Sequence, residues 1–213
     1  MRQVILSITG LVTASLTAGC SVFGISTVEE ASSELILAED NFELRLYQPL
    51  VVAETTVEAD FDEAGGRAFE KLFGYMSGEN TASSKIAMTA PVLADQSRSN
   101  PGRKIDMTVP VLEERTDEGW RYMFVLPAYY TLGSAPAPLH PDVKLSPMPE
   151  QKVAVIRYSG TSEKKVIDNK TLQLNEWISA NNLTPASKPR WAGYNPPWTL
   201  PFLRRNEVLI DVN

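Results

Sequence analysis

The chain has 213 residues, of which 43% are hydrophobic and 22% charged, so it can form a globular core and wholesale disorder is excluded. Its net charge of −6 at pH 7 and its lack of a basic run argue against nucleic-acid binding. The single Cys and single His exclude an intrachain disulfide and a Cys/His zinc site, and they leave only His140 as the imidazole of a nucleophilic triad.

The first twenty residues resemble a bacterial lipoprotein signal. Arg2 precedes an apolar run, 4–16, that is too short and too rich in Ser and Thr to span a bilayer, and small residues lead to Cys20. The ending Ala-Gly-Cys is similar to the lipobox, whose Cys is lipidated, although Thr17 stands where that motif most often has Leu. The alternative is a buried helix with a free thiol.

The lipobox resemblance implies a division of the chain and a location. We predict a lipoprotein signal peptide at 1–20, a tether at 21–33 and a ligand-binding domain at 34–213. Lipidated Cys20 then anchors the protein to a membrane of the cell envelope. Ser21 follows, rather than an Asp that would favour the inner membrane, so the prediction is the periplasmic side of the outer membrane in a host with two membranes.

The first half of the domain predicts a hairpin, a strand and a helix. Apolar residues recur in 35–37 and 42–47 on either side of a polar turn, and 50–57 is rich in Val and Thr. Asp62 is placed as a helix N-cap and Gly78 as the end of that helix. Its apolar positions recur with the period of a helix: Ala64, Ala68, Phe69, Leu72, Phe73 and Met76.

Two nearly identical nine-residue segments follow the helix. Segments 85–93 and 104–112 share seven of nine residues, and each has a Pro late in it, which indicates an edge strand or a bulge. Met88 and Met107 occupy the same place in the two copies, and matched strand positions favour packing over a role as metal ligands. A strand at 121–126 and a proline-rich loop containing His140 come next.

The second half repeats the order of the first about one hundred residues later. A strand after Pro149 and a helix over 163–181 parallel the strand after Pro49 and the first helix. The sequence therefore predicts an α+β fold, in which a twisted antiparallel β-barrel or curved sheet carries two helices and has an internal pseudo-two-fold repeat. Alternation along the last strand, 207–212, places Glu207 on a partly wet face.

Several segments in order resemble the SOUL haem-binding proteins. They are Tyr47-Gln48-Pro49, Asp62-Glu63-Ala64, Lys85-Ile86-Ala87-Met88-Thr89-Ala90-Pro91-Val92, Ala192-Gly193-Tyr194-Asn195-Pro196-Pro197-Trp198 and Phe202-Leu203-Arg204-Arg205-Asn206-Glu207-Val208. The resemblance covers nearly all of the chain from about residue 35 to 213. It implies a twisted barrel with two helices, similar in shape to gyrase-inhibitor-like domains, and a protein that binds haem or a related tetrapyrrole rather than an enzyme.

The resemblance also implies a binding groove beside the first helix. Haem is an apolar plate with two carboxylates, so it needs an apolar slot with cations at the rim. The apolar positions that match are Phe69, Leu72, Phe73, Met76, Tyr194 and Trp198, and the cations are Arg67 and Arg205. Core packing is the alternative for each apolar position. The iron ligand stays open, with His140 as the one imidazole available.

Three other functions fit the same sequence. The groove can hold another amphiphilic small molecule instead of haem. A hydrolase is the second alternative, with Glu207, Tyr194 and Trp198 imitating the carboxylate and aromatic residues of distant relatives, and it requires an inward Glu207 with a raised pKa. The third is a structural or interaction module.

Overall fold

The computed structural model describes residues 28–81 and 102–213. Two helices occur in these residues, α1 (Phe61–Ser77) and α2 (Lys164–Ala180). The strands are β1 (Glu29–Glu30), β2 (Ser33–Glu39), β3 (Phe42–Tyr47), β4 (Leu50–Val57), β5 (Asn80–Thr81), β6 (Thr108–Val109), β7 (Val111–Thr116), β8 (Gly119–Val125), β9 (Ala137–Pro138), β10 (Lys144–Met148), β11 (Gln151–Tyr158), β12 (Arg190–Gly193) and β13 (Asn206–Asp211). A short 3-10 turn, Pro201–Leu203, precedes β13.

One curled, antiparallel sheet of nine strands organises the fold. Its order is β10-β4-β8-β7-β12-β13-β11-β3-β2. The units β4–α1–β7–β8 and β11–α2–β12–β13 occupy mirrored places on either side of the seam between β7 and β12. The predicted α+β fold and its internal repeat are therefore confirmed.

The first helix begins earlier than the sequence indicated. Asp60 is the N-cap residue, in an extended conformation, and Phe61 is the first helical residue, so the prediction of Asp62 as the cap was wrong by two positions. The end of the helix was predicted correctly: Gly78 has φ of 119° and closes the helix through backbone hydrogen bonds to Gly74 and Tyr75. Helix α2 agrees with its prediction within one residue at each end.

The two helices cover only the outer parts of one sheet face. Helix α1 packs on β4 and β8, and α2 packs on β11 and β13, each over its own cluster of buried apolar side chains. The central strands β7 and β12 lie between these two packed regions. A third apolar cluster, which includes Val52, Leu112 and Leu209, fills the opposite, concave face. The arrangement leaves a trough over the middle of the sheet.

Some sequence predictions fall outside the described residues. These are the signal peptide with Cys20, residues 21–27 of the tether, and the first repeat segment with Met88. The end of the predicted tether is described, and there β1 pairs with β6 of the second repeat segment and β2 begins at Ser33. Met107 packs against the core under α1. Among the described residues, no helix has the length and apolar character needed to cross a bilayer.

Candidate functional site

A large cavity in the described part of the chain lies in the trough between the two helices, which we call the interhelical cleft. Its volume is about 790 Å³, within the range of roughly 300–1,000 Å³ that is usual for small-molecule sites. The start of α1, the exposed side of α2 and the central strands β7, β8 and β12 enclose it. Its large apolar side chains are Phe61, Trp120, Ile167, Leu172 and Trp191.

Aromatic rings form much of the cleft surface. Phe61 meets the ring of Trp120 edge to face, with 5.0 Å between centroids. The far edge of the Trp191 ring lies against Gly193, where an added Cβ would stand only 2.5 Å from the nearest ring atom. The Trp191 indole donates to the Tyr158 hydroxyl at 3.2 Å, which fixes its orientation. These residues give the cleft planar apolar walls, which suit a flat aromatic ligand.

A buried carboxyl group lies among these rings. Glu113 on β7 pairs across the sheet with Tyr122 of β8 on one side and Trp191 of β12 on the other, and it is only 6% exposed. The Tyr122 hydroxyl hydrogen-bonds to the carboxyl group, while its Oε1 has no hydrogen-bond partner. Burial raises the pKa of Glu113 to about 7, against the lowering effect of the Tyr122 hydrogen bond.

Charged side chains stand around the cleft. Arg115 is exposed, and its guanidinium group lies 5.1 Å from the centre of the Trp120 ring. Lys164 of α2 contacts Asp168 one turn later at 2.6 Å, and both are more than half exposed. Arg190 forms a two-pronged pair with Asp211. Arg115 and Lys164 are therefore the cations best placed to meet an anionic group from solvent.

A different charged cluster occupies the concave face of the sheet. Glu207 is fully buried and pairs with Arg45 at 2.9 and 3.0 Å and with Arg205 at 2.9 Å. Tyr194 donates to the same carboxylate at 2.7 Å, and the Arg205 guanidinium group lies 3.8 Å from the centre of the Tyr194 ring. Each Glu207 oxygen thus has partners, and we call this group the Glu207 cluster.

The Glu207 cluster differs from what the sequence indicated. The alternation of β13 was predicted correctly, but the face that carries Glu207 is dry, because the concave core encloses it. Burial by itself raises the pKa of Glu207, but the hydrogen bonds and charge of Arg45, together with the charge of Arg205, outweigh burial and lower it. The inward position that a hydrolase requires is present, whereas the raised pKa of a general base is not.

The apolar residues predicted on α1 face two different ways. Phe69 and Phe73 stack on each other at 5.6 Å and are about half exposed. Leu72 and Met76 are buried in the core between α1 and the sheet, because that side of the helix covers β4 and β8. None of the four lines the interhelical cleft.

The other predicted residues are also dispersed. Tyr194 and Arg205 belong to the Glu207 cluster, and Arg205 is also held by Glu30. Arg67 pairs with Glu63 on the exposed side of α1. Trp198 is 67% exposed in the loop after β12. His140 accepts a hydrogen bond from the Asp142 backbone in its loop. The structure does not gather the predicted set into one pocket.

The cleft residues escaped sequence reasoning because they are far apart in the chain. Trp120 and Trp191 are separated by 71 positions, and only the pairing of β7 with β8 and β12 brings them together. One signal was available: two acidic residues, Glu113 and Glu114, directly follow the apolar end of the second repeat segment. A carboxylate at an inward position is unusual unless it has a partner or a function.

Comparisons with known proteins agree with the fold. The SOUL heme-binding protein family model matches residues 28–211. Heme-binding protein 2 of Homo sapiens is 30% identical over 180 residues, which are 81% of this chain and 79% of that protein. The Mus musculus protein of the same name is 29% identical over the same shares.

A solved structure shows a similar fold. A hydrolase from Listeria innocua is 15% identical, with a TM-score of 0.51 over 88% of this chain and 94% of its own. At that identity the likeness concerns the fold alone. The family model, in contrast, covers most of the chain and includes both helices and the nine-stranded sheet. The chain therefore belongs to the SOUL heme-binding protein family.

Proposed function

We propose that the interhelical cleft binds haem or a related tetrapyrrole, and that this protein is a carrier or sensor of its ligand rather than an enzyme. The observation that carries the proposal is a cleft of about 790 Å³ with two tryptophans on its surface, in a member of a haem-binding family. Its size and its flat apolar walls suit a planar macrocycle.

The charges at the rim support one orientation of such a ligand. Arg115 and Lys164 are exposed beside the cleft and can pair with propionate groups, whereas Trp120, Trp191 and Leu172 can contact the apolar part of the ring. When bound, haem supplies an iron centre that can carry ligands or electrons. The protein's contribution is apolar contact and rim charge.

The cleft offers none of the usual axial ligands. Among its described lining residues there is no His, Met, Cys or Tyr, the side chains that ligate haem iron. His140 lies with Glu79 and Lys71 beside another depression. The residues therefore fit the macrocycle and not a protein ligand to the iron, and we expect His140→Ala to leave the spectrum of bound hemin unchanged.

A hemin titration tests the site. We expect a saturable Soret shift with the wild type, and a loss of about tenfold or more in affinity for Trp191→Ala. Leu172→Asp is a second variant, because Leu172 is 64% exposed and its replacement leaves the core intact. Phe202→Ala is the control, since Phe202 is equally exposed but lies outside the cleft.

Two outcomes would contradict the proposal. If hemin binds without saturation to every variant alike, the cleft is not a specific site. If Phe73→Ala weakens binding while Trp191→Ala and Leu172→Asp do not, the ligand sits on the exposed side of α1, as the family resemblance implied.

The proposal includes a membrane anchor at Cys20. Its support is the sequence of residues 1–20, with a short apolar run followed by Ala-Gly-Cys. A lipid anchor at Cys20 would hold the domain at the cell envelope, on the periplasmic side of the outer membrane in a host with two membranes. Radiolabelled palmitate should enter the wild type and not Cys20→Ser. Equal labelling of both proteins, or of neither, would refute the anchor.

A further inference from the structure

The interhelical cleft has a feature that haem binding does not use. Haem presents anionic propionates at one edge and an uncharged apolar periphery elsewhere, so rim cations and apolar walls are all that it requires. Glu113 adds a carboxyl group among the rings, on the strand next to Trp191. The ligand that this group suits carries a positive charge or a hydrogen-bond donor.

The environment of Glu113 leaves its charge without a counter-ion from the protein. The group is 6% exposed, Tyr122 serves the carboxyl group from the α1 side, and Oε1 has no hydrogen-bond partner. Buried polar atoms without partners are rare in native proteins and often mark functional positions. Glu113 lines the cleft, so its charge acts on a guest there even though Oε1 itself is closed off from solvent.

The nearby cations do not pair with Glu113. The ionisable side chains that line the cleft or contact Glu113 are Asp60, Arg115, Tyr122, Lys164, Asp168 and Arg190. Of the three cations, Lys164 pairs with Asp168, Arg190 pairs with Asp211, and Arg115 lies over the Trp120 ring.

No cation forms an ion pair with Glu113 among the described residues. Tyr158 on β11 lies close enough for the Glu113 charge to raise the pKa of its hydroxyl, after the larger effect of burial. The negative charge of Glu113 therefore stands in an aromatic cleft without a counter-ion from the protein.

The surrounding rings complement that charge. Aromatic faces attract cations, most strongly when the cation is removed from water. Trp120, Trp191 and Phe61 supply such faces, and Glu113 supplies the full negative charge. A small metal ion or an ammonium group would lose hydration that this apolar cleft does not replace, whereas a delocalised aromatic cation is weakly hydrated and loses little.

We propose that the interhelical cleft also binds planar aromatic cations, with Glu113 as the residue that selects for positive charge. This ligand class differs from the tetrapyrroles of the proposed function, and it depends on a residue that those ligands do not need. The ionised form of Glu113 binds the cation. Since half of the Glu113 groups are protonated near pH 7 in the free protein, affinity for the cation rises with pH through that region.

Two fluorescent dyes of similar shape test the proposal. N-methylacridinium is a permanent cation, and acridine is uncharged at pH 8.5. We expect the purified mature domain to bind the cation at least about tenfold more tightly than acridine at pH 8.5. Affinity for the cation should fall by about 30-fold between pH 8.5 and pH 5.5, as protonation removes the binding form of Glu113.

Two matched variants assign the effect to Glu113. Glu113→Gln should abolish the preference for the cation and its pH dependence. Glu114→Gln is the control, because Glu114 is the next residue on β7, is similarly buried, and pairs with Arg121 on the other face of the sheet. It should keep the preference. Circular dichroism and thermal melting establish that both variants are folded.

The outcomes separate this inference from the proposed function. Equal binding of the two dyes, absence of dye binding, or a preference that survives Glu113→Gln would each overturn the role of Glu113 as a charge selector. Hemin titration of the wild type is measured in parallel. Hemin binding without cation selection would contradict only the proposal that the cleft selects aromatic cations. Cation selection without hemin binding would contradict only the tetrapyrrole proposal.

Discussion

Glu207 and Glu113 are buried on opposite faces of the central sheet, and their two carboxyl groups behave in opposite ways. On the concave face, Glu207 has two arginines and a tyrosine around it, and its pKa lies below the usual value. On the helix face, Glu113 has one tyrosine and an unpartnered oxygen, and its pKa rises to about 7. Both are less than a tenth exposed.

The comparison shows that partners, rather than burial, decide what a buried carboxylate does. A carboxylate with its full set of cations and donors belongs to the folded structure, and its charge is present at neutral pH. A carboxylate that lacks a counter-ion raises the free energy of the folded protein whenever it is ionised. Such a group is kept where something other than stability selects it, which favours a binding role for the helix face.

The largest expected effect comes from breaking the Glu207 cluster. Glu207→Gln leaves Arg45 and Arg205 buried without their counter-charge, so we expect the free energy of unfolding to fall by about 3–5 kcal/mol. Denaturant titration at pH 7 measures it. Glu63→Gln, which removes an exposed partner of Arg67, is the control and should change stability by less than about 1 kcal/mol. A loss for Glu207→Gln as small as that of the control would mean that the cluster is not a stabilising unit.

Glu113→Gln should change the stability in the direction opposite to Glu207→Gln. The folded-state pKa of Glu113 lies above its ordinary value of 4.5, so the folded protein binds more protons than the unfolded chain between these values. Wild-type stability therefore falls as pH rises from about 4.5 to 7, and the loss is complete above that. We compare the free energy of unfolding of the variant with that of the wild type at each pH. The difference should favour the variant by about 3 kcal/mol more at pH 8.5 than at pH 4.5.

Urea titrations of both proteins at the two pH values measure this difference. Because the variant has no titrating group at this position, its own stability should vary less with pH across that window. A stability gap between the two proteins that stays constant with pH would show that Glu113 has an ordinary pKa and would remove the contrast with Glu207.

The smallest expected effect concerns the single partner of Glu113. Tyr122→Phe removes a hydrogen bond to the carboxylate, which lowers its pKa in the wild type, so the pKa of Glu113 should rise further. We expect a stability loss of about 1–2 kcal/mol at pH 8.5 and a smaller loss at pH 4.5, where the group is neutral. The carboxyl carbon shift in NMR follows the titration, and an unchanged midpoint would mean that the hydroxyl does not serve this carboxyl group.

The fold was largely readable from the sequence, because it depends on local signals. Alternation gave the β2–β3 hairpin and the faces of β13, helical spacing gave α1 and α2, and Gly78 marked a helix end. The repetition of the two halves was visible from Pro49 and Pro149, each of which precedes a strand and then a helix. These features are set by residues close to each other in the chain.

The site was not readable, because it depends on strand pairing. Helical spacing placed Phe69, Leu72, Phe73 and Met76 on one helix but could not show that two face the core and two face solvent. Arg205 looked like a free cation, and only the folded chain brings Glu30 and Glu207 to it. The neighbours of Glu113 on β8 and β12 follow only from the pairing of the strands.

The seam between β7 and β12 has a consequence for how such proteins diversify. Each half of the molecule needs one helix to cover its own strands. Joining two halves side by side therefore leaves a furrow along the junction, and no particular residue is required to form it. The floor residues lie at the edges of the two hydrophobic cores, as Trp120 does for one and Trp191 for the other, and not within them. Related proteins can therefore bind different ligands while keeping the same architecture and much the same thermal stability.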